Sequence, residues 1–339
     1  MIENDVIIRV KPLGFMWPAV NPFLFCAHHL DDYPQGNEQM GPAASLAGRD
    51  IGQDFTMKDG WRMYHGNRIP GFPVHPHRGF ETITIVRNGF VDHSDSHGQA
   101  GRYGMGDVQW MTAGSGLQHC EMFPLLNQHS GNPTELFQIW LNLSRKNKFA
   151  DPYFKMLWSE EIPVHKIADE NGKSIEINVI AGAIDGINSV SVTPDSWASD
   201  PENEVAVWTI RMDPESHWEV PLAGEGINRT IYFHLGDSLS INGTKLEANK
   251  AVELRGNQRT QIINGNTESQ ILLLQGRPIE EPVVQYGPFV MNSQSEIQQA
   301  MSDYRLTEFG GWPWPHRDQV HPRERGRFAR YKDGSEEIR

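Results

Sequence analysis

Two short pairs of residues have the chemistry of metal ligands: His75 and His77 in GFPVHPHRGFET, and His119 and Glu121 in GLQHCEMFP. In an extended strand residues i and i+2 project to the same face, about 6.6 Å apart at a rise of about 3.3 Å per residue. Each pair therefore directs two donors to one side. Forty-one residues lie between His77 and His119. The pairs are thus expected to face each other across a closed barrel and to surround one ion with three imidazole nitrogens and one carboxylate oxygen. A lone HxH is weak evidence, because histidine often serves only as a hydrogen-bonding group; His28, His29, His65, His93 and His97 are expected to include several of that kind. An HxH followed by Gly-punctuated strands and then an HxE is far more specific.

Glu81 shares the parity of His75 and His77 but lies about 13 Å from His77 along an extended strand. Glu121, beside His119, is the preferred carboxylate. Glu81 stays an outside candidate, or a partner that holds one imidazole in a single tautomer. Three imidazoles and a carboxylate suit Fe, Mn, Co, Ni or Zn. Structural zinc favours four closed ligands, often thiolates, so this thiolate-free set fits a six-coordinate ion with two open positions. Such positions admit a small-molecule substrate and O2, with Glu121 both a ligand and the catalytic proton acceptor.

The elements that must position these residues read as short strands. VIIRV, FETITIV, VQWM and LFQIWLNL come first; SIEINVIAG, VAVWTIRM, RTIYFHL, SLSING, AVELRG and QILLLQG follow a polar stretch at 144–174. Turn clusters such as RNG, MGD and AGSG separate them. A chain of 339 residues with 32 Gly and 22 Pro is expected to fold as two all-β domains: residues 1–150 with the metal site and 151–310 without one, since His217 and His234 are isolated there. Ser293 and Glu296 have capping-box spacing, which predicts a helix over 294–304. Residues 311–339 read as a polar, solvated tail whose Arg-rich part is free to meet a partner. Residues 31–66 show no regular pattern and lead into the metal motif, so they are expected to form a lid, with Trp61, Met63 and Tyr64 as wall material.

A net charge of −13 argues against direct nucleic-acid binding and against an anionic membrane surface. Two cysteines, Cys26 and Cys120, are too few for a disulfide framework and suit a reducing compartment. The beginning MIENDVIIRVK has acidic residues before a very short apolar stretch, the wrong order for a secretory signal. A cytoplasmic location is expected.

HPHRGFET, GDVQWMTAGSGLQHCEMFP and EPVVQYGPFVMN closely resemble the pirins, a branch of the cupin superfamily, over most of residues 20–310. The resemblance implies two cupin-type barrels, a metal-free second domain, and iron, as Fe(II), held by His75, His77, His119 and Glu121. It also implies either a dioxygenase of the quercetin 2,3-dioxygenase type or a non-enzymatic, redox-sensing regulator that binds protein partners. Three features depart from the family pattern: a longer 31–66 segment, Cys120 where a small residue such as Ala or Ser is expected, and the chain beyond 311. The parity of Cys120 points it away from the metal face, toward packing.

Overall fold

The computed structural model describes residues 6–339. Among them the regular structure is mostly β-strand, with one α-helix at Gln294–Thr307. Two compact units form, each discontinuous in sequence: one takes residues up to 27, 139–142 and 160–280, the other 28–138, 143–159 and 281–339. Each unit thus draws on stretches from either side of the boundary expected near 150, and the latter continues across the one expected near 310. The strand Ile7–Pro12 pairs with Lys250–Arg255 in the first of these units. In the other, Phe328–Arg330 pairs with Ala100–Gly104. The physical reason is that a sheet edge presents unpaired N–H and C=O groups that any extended segment of the same chain can satisfy. The stretch 144–174, expected to be a polar connection, supplies two strands, Tyr153–Leu157 and Val164–Ala168.

The histidine-bearing unit is built on two sheets. One runs in the order Glu336–Ile338, Phe328–Arg330, Ala100–Gly104, Phe90–Asp95, Leu117–Met122, Gly71–His77. The other includes Tyr153–Leu157, Val108–Thr112 and Phe80–Asn88 side by side. Phe80, Ile83, Trp110, Leu117 and Phe154 are fully buried among them. The strand Gly71–His77 contains Pro73 and Pro76 and lies at the edge of its sheet, where missing backbone donors are tolerated.

Gly79 turns the chain between the His77 strand and the Phe80 strand at φ +85, and a Cβ there would lie 2.0 Å from the Val290 carbonyl oxygen. Gly79→Ala is expected to cost about 2–4 kcal/mol, from left-handed strain and the displaced backbone together. The urea midpoint measures it; an unchanged midpoint would show that the turn relaxes freely.

The other unit pairs a seven-stranded sheet with a four-stranded one around Ile177, Trp208, Ile231, Val252, Ile262 and Leu273. The helix Gln294–Thr307, in the histidine-bearing unit, is capped by Ser293, whose hydroxyl accepts from Glu296 N, while Glu296 Oε2 accepts from Asn292 N. Its buried Ile297 and Ala300 pack on Phe289 and Met291. Asp303 takes a 2.7 Å hydrogen bond from Arg78, anchoring the helix beside the HPHR sequence.

Candidate metal centre

The two candidate pairs sit side by side, on neighbouring strands of one sheet, where the sequence pattern had them facing across a barrel. His75 is directly opposite His119 in the antiparallel ladder of Gly71–His77 with Leu117–Met122. A register shift between Phe72 and His75 produces this pairing. Phe72 opposes Glu121, so an unbroken ladder would set residue 74 against His119. The extra residue moves His75 there and turns His75 and His77 to the face that carries His119.

The side-chain nitrogens of His75, His77 and His119 lie within 4.8 Å of one another. His77 and His119 are buried and His75 is half-buried. Burial lowers His75 to about 4, opposed by its bond to Pro73. It pushes His77 and His119 well below the ordinary histidine value, and neighbouring imidazoles add to the effect. All three are therefore neutral at physiological pH, the form that donates a lone pair to a metal.

Hydrogen bonds fix which nitrogen is available. His75 Nδ1 lies 2.9 Å from the Pro73 carbonyl oxygen, so it carries the proton and leaves Nε2 as the donor atom. His93 Nε2 is 3.5 Å from Asp95 Oδ2, and His93 Nδ1 is 3.4 Å from His119 Nδ1. With His93 donating to the carboxylate, its Nδ1 accepts from His119 Nδ1–H, and His119 Nε2 keeps its lone pair. That atom is buried and has no hydrogen-bond partner. A buried polar atom without a partner is costly, and a cation is what its lone pair lacks.

Glu121 Oε2 lies 3.7 Å from His119 Nε2. Burial raises the pKa of its carboxyl, against the opposing influence of His93, Thr84, Tyr103 and Gln138. Oε2 accepts from Gln138 Nε2 at 3.1 Å. Thr84 Oγ1 is 3.1 Å from Oε1 and Tyr103 OH is 3.4 Å from it. Each of these hydroxyls also has an alternative acceptor, Gln138 Oε1 for Thr84 and Gln109 Oε1 for Tyr103. The carboxylate thus has adjustable donors on one oxygen and His119 close to the other. Two lone-pair atoms 3.7 Å apart repel unless a proton or cation lies between them, and a divalent metal fits this donor set.

Glu81 is held elsewhere, accepting from Thr112 Oγ1 at 2.6 Å and Trp110 Nε1 at 3.2 Å. His93 is the residue that sequence reasoning passed over. It opposes Glu121 in the ladder, as Asp95 opposes His119, and the i, i+2 spacing of VDHSD on a Gly-bounded strand was its signal. Residues 31–66 form a packed wall. Arg49 stacks 3.3 Å over Trp61 and donates to Asp54 Oδ2 and to two carbonyls. Buried Tyr64 stacks on Phe72, whose ring meets His75 edge-on at 6.3 Å. Cys120 faces away, with Ile69 and Met122, and its thiol donates to the Gln319 carbonyl.

Known proteins resemble this chain in both units. The sequence pattern described as Pirin matches residues 35–141, and that of the Pirin C-terminal cupin domain matches 207–310. Pirin-1 of Arabidopsis thaliana is 38% identical over 244 residues, 71% of this chain and 78% of that protein. Pirin of Homo sapiens is 34% identical over 252 residues, 73% and 80% of the two chains. A crystal structure of quercetin 2,3-dioxygenase from Acinetobacter baumannii superposes with a TM-score of 0.70 at 26% identity, covering 90% of this chain and 98% of that one. Relatives that align over more than three quarters of their own length share more than one motif with this chain, and it belongs to the pirin family.

Proposed function

We propose that the chain is an iron-dependent dioxygenase of the quercetin 2,3-dioxygenase type, acting in the cytoplasm on a flavonol or a similar small molecule with O2 as co-substrate. The observation that carries this reading is the cluster of three neutral imidazoles, with ligand atoms within 4.8 Å, beside a carboxylate whose pKa burial raises. The likeness in fold to a quercetin 2,3-dioxygenase supports it. The net charge of −13 fits a small-molecule enzyme better than a nucleic-acid binder.

His75, His77 and His119 would hold the ion, with Glu121 completing the set. Iron, when bound, supplies Lewis acidity and redox capacity at that point. Glu121 Oε2 accepts the proton of the substrate hydroxyl, a role suited to a carboxylate with an elevated pKa. Thr84 and Tyr103 then turn their hydroxyl protons toward or away from Oε1 as the charge on the carboxyl changes. Phe72, backed by the buried Tyr64, gives the His75 side an aromatic wall suited to a planar substrate.

Aerobic incubation of the iron-loaded protein with quercetin is expected to consume oxygen and release carbon monoxide. His119→Ala is the control. Turnover no greater than that of the control rejects the proposed activity.

A further inference from the structure

We propose that the unit without the histidine cluster carries its own ligand site: a cavity of about 650 Å³ that binds a small monocarboxylate with an apolar body through Arg229. The volume lies within the range of small-molecule sites. The cavity opens at one end of the seven-stranded sheet, where Ala206, Arg229 and Gln275 lie on three adjacent strands, Gln275 being paired with both of the others. The chain from Gly182 to Val205 and the Pro221–Leu222 corner complete its lining.

Arg229 has 2% exposure, and its hydrogen bonds go to uncharged groups. Nε donates to Gln275 Oε1 at 2.7 Å and Nη2 to the Pro221 carbonyl at 2.8 Å. Nη1 is buried with no hydrogen-bond partner. A buried guanidinium normally bonds a carboxylate, because an unmet charged donor is among the most expensive groups to bury. The nearest carboxylate influence is Glu204, but its Oε2 accepts from Gly224 N at 2.9 Å. Burial dominates and lowers Arg229 to about 10, so the charge remains at neutral pH.

The remaining lining sets the ligand class. Trp208, Val190, Val192 and Leu222 offer apolar surface, and Leu222 is 66% exposed. Asp200 and Glu204 also line the cavity, and their charge disfavours a dianion such as phosphate more than a monoanion. A single carboxylate on Nη1 with a hydrocarbon or aromatic body on Trp208 satisfies both halves.

Benzoate is the probe, titrated into the full-length protein by calorimetry, with benzamide and inorganic phosphate as comparison ligands. Benzoate is expected to bind saturably and at least tenfold more tightly than either. The affinity is expected to fall at least tenfold in Arg229→Met, and likewise in Ser189→Trp, which fills the cavity and leaves the guanidinium in place. His119→Ala is expected to bind benzoate as the wild type does, which separates this site from any carboxylate on a metal. Absence of saturable benzoate binding overturns the proposal. So does wild-type affinity in Ser189→Trp, or loss of binding in His119→Ala. Should Arg229→Met fail to fold, Ser189→Trp decides the matter alone.

Discussion

His119→Ala is expected to take the iron content of the purified protein from near-stoichiometric to near zero, a loss of affinity of more than about 100-fold. The reason is positional. His119 is the residue that touches every other member of the constellation: it is opposite His75 in the ladder, its Nδ1 meets His93, and its Nε2 is 3.7 Å from Glu121 Oε2. Removing it leaves two imidazoles on an edge strand and only the Glu121 carboxylate from the neighbouring one. Elemental analysis and an iron titration followed by thermal unfolding measure the effect together. A bound ion stabilises the fold by about 2.7 kcal/mol when present at 100 times its dissociation constant, and that increment is expected to vanish in the variant. Iron content equal to the wild type would mean that the metal binds elsewhere.

Two graded variants sharpen this outcome. His93→Ala removes the group that fixes the His119 tautomer, and is expected to weaken iron binding about 10–100-fold while leaving every ligand in place. Glu121→Gln separates ligation from proton transfer. Loss of iron marks the carboxylate as a ligand; retained iron with lost turnover marks it as the proton acceptor alone.

Much of this was legible because alternation along a strand is so regular. HxH and HxE on Gly-bounded segments gave two pairs of donors, each pair on a common face, from parity alone, and the prolines in GFPVHPH fit the edge position that their strand occupies. The relative placement of the two pairs was not legible. It depends on the register shift between Phe72 and His75, and periodicity carries no information about which strand pairs with which. His93 was hidden for the same reason, since only the ladder sets it opposite Glu121. The strands of the stretch 144–174 were short and flanked by polar turns, and a window reading of apolar pattern favours longer segments.

The segment beyond 311 shows a different limit. Its composition lacks the apolar material to order itself, yet Phe328 and Ala329 are fully buried and Phe328–Arg330 adds a strand to the sheet that carries the histidine cluster. The segment orders on a partner surface within its own chain. Its arginines, read from sequence as available to a partner, are engaged: Arg327 donates to Asp107 Oδ1 at 2.8 Å, Arg323 to the carbonyls of Leu125 and Leu126, and Arg325 covers the Phe328 ring at 3.6 Å.

Arg102→Met is expected to cost about 3–5 kcal/mol and to release this segment. Arg102 is completely buried, and each of its donor groups is committed. Nε and Nη2 grip Asp92 at 2.7 and 2.8 Å, Nη1 donates to the Pro322 and Arg323 carbonyls, and Nη2 also reaches the His321 carbonyl at 2.8 Å. Asp92 Oδ2 in turn accepts from His321 N, and His321 Nε2 meets the His93 carbonyl. A planar five-donor fork is what this arrangement requires, and no other side chain supplies it. Methionine fills the space but leaves Asp92 as a buried charge without its cation, and leaves three tail carbonyls without donors. Loss of the pair is therefore far costlier than loss of an exposed ion pair, which is worth at most about 1 kcal/mol. Because Phe90–Asp95 lies between Ala100–Gly104 and the His119 strand, the damage is expected to spread to iron binding. Limited proteolysis followed by mass spectrometry should show cleavage near residue 311 in Arg102→Met under conditions that leave the wild type intact. Equal protection of the two proteins would show that the strand pairing of Phe328–Arg330 holds the segment without the buried arginine.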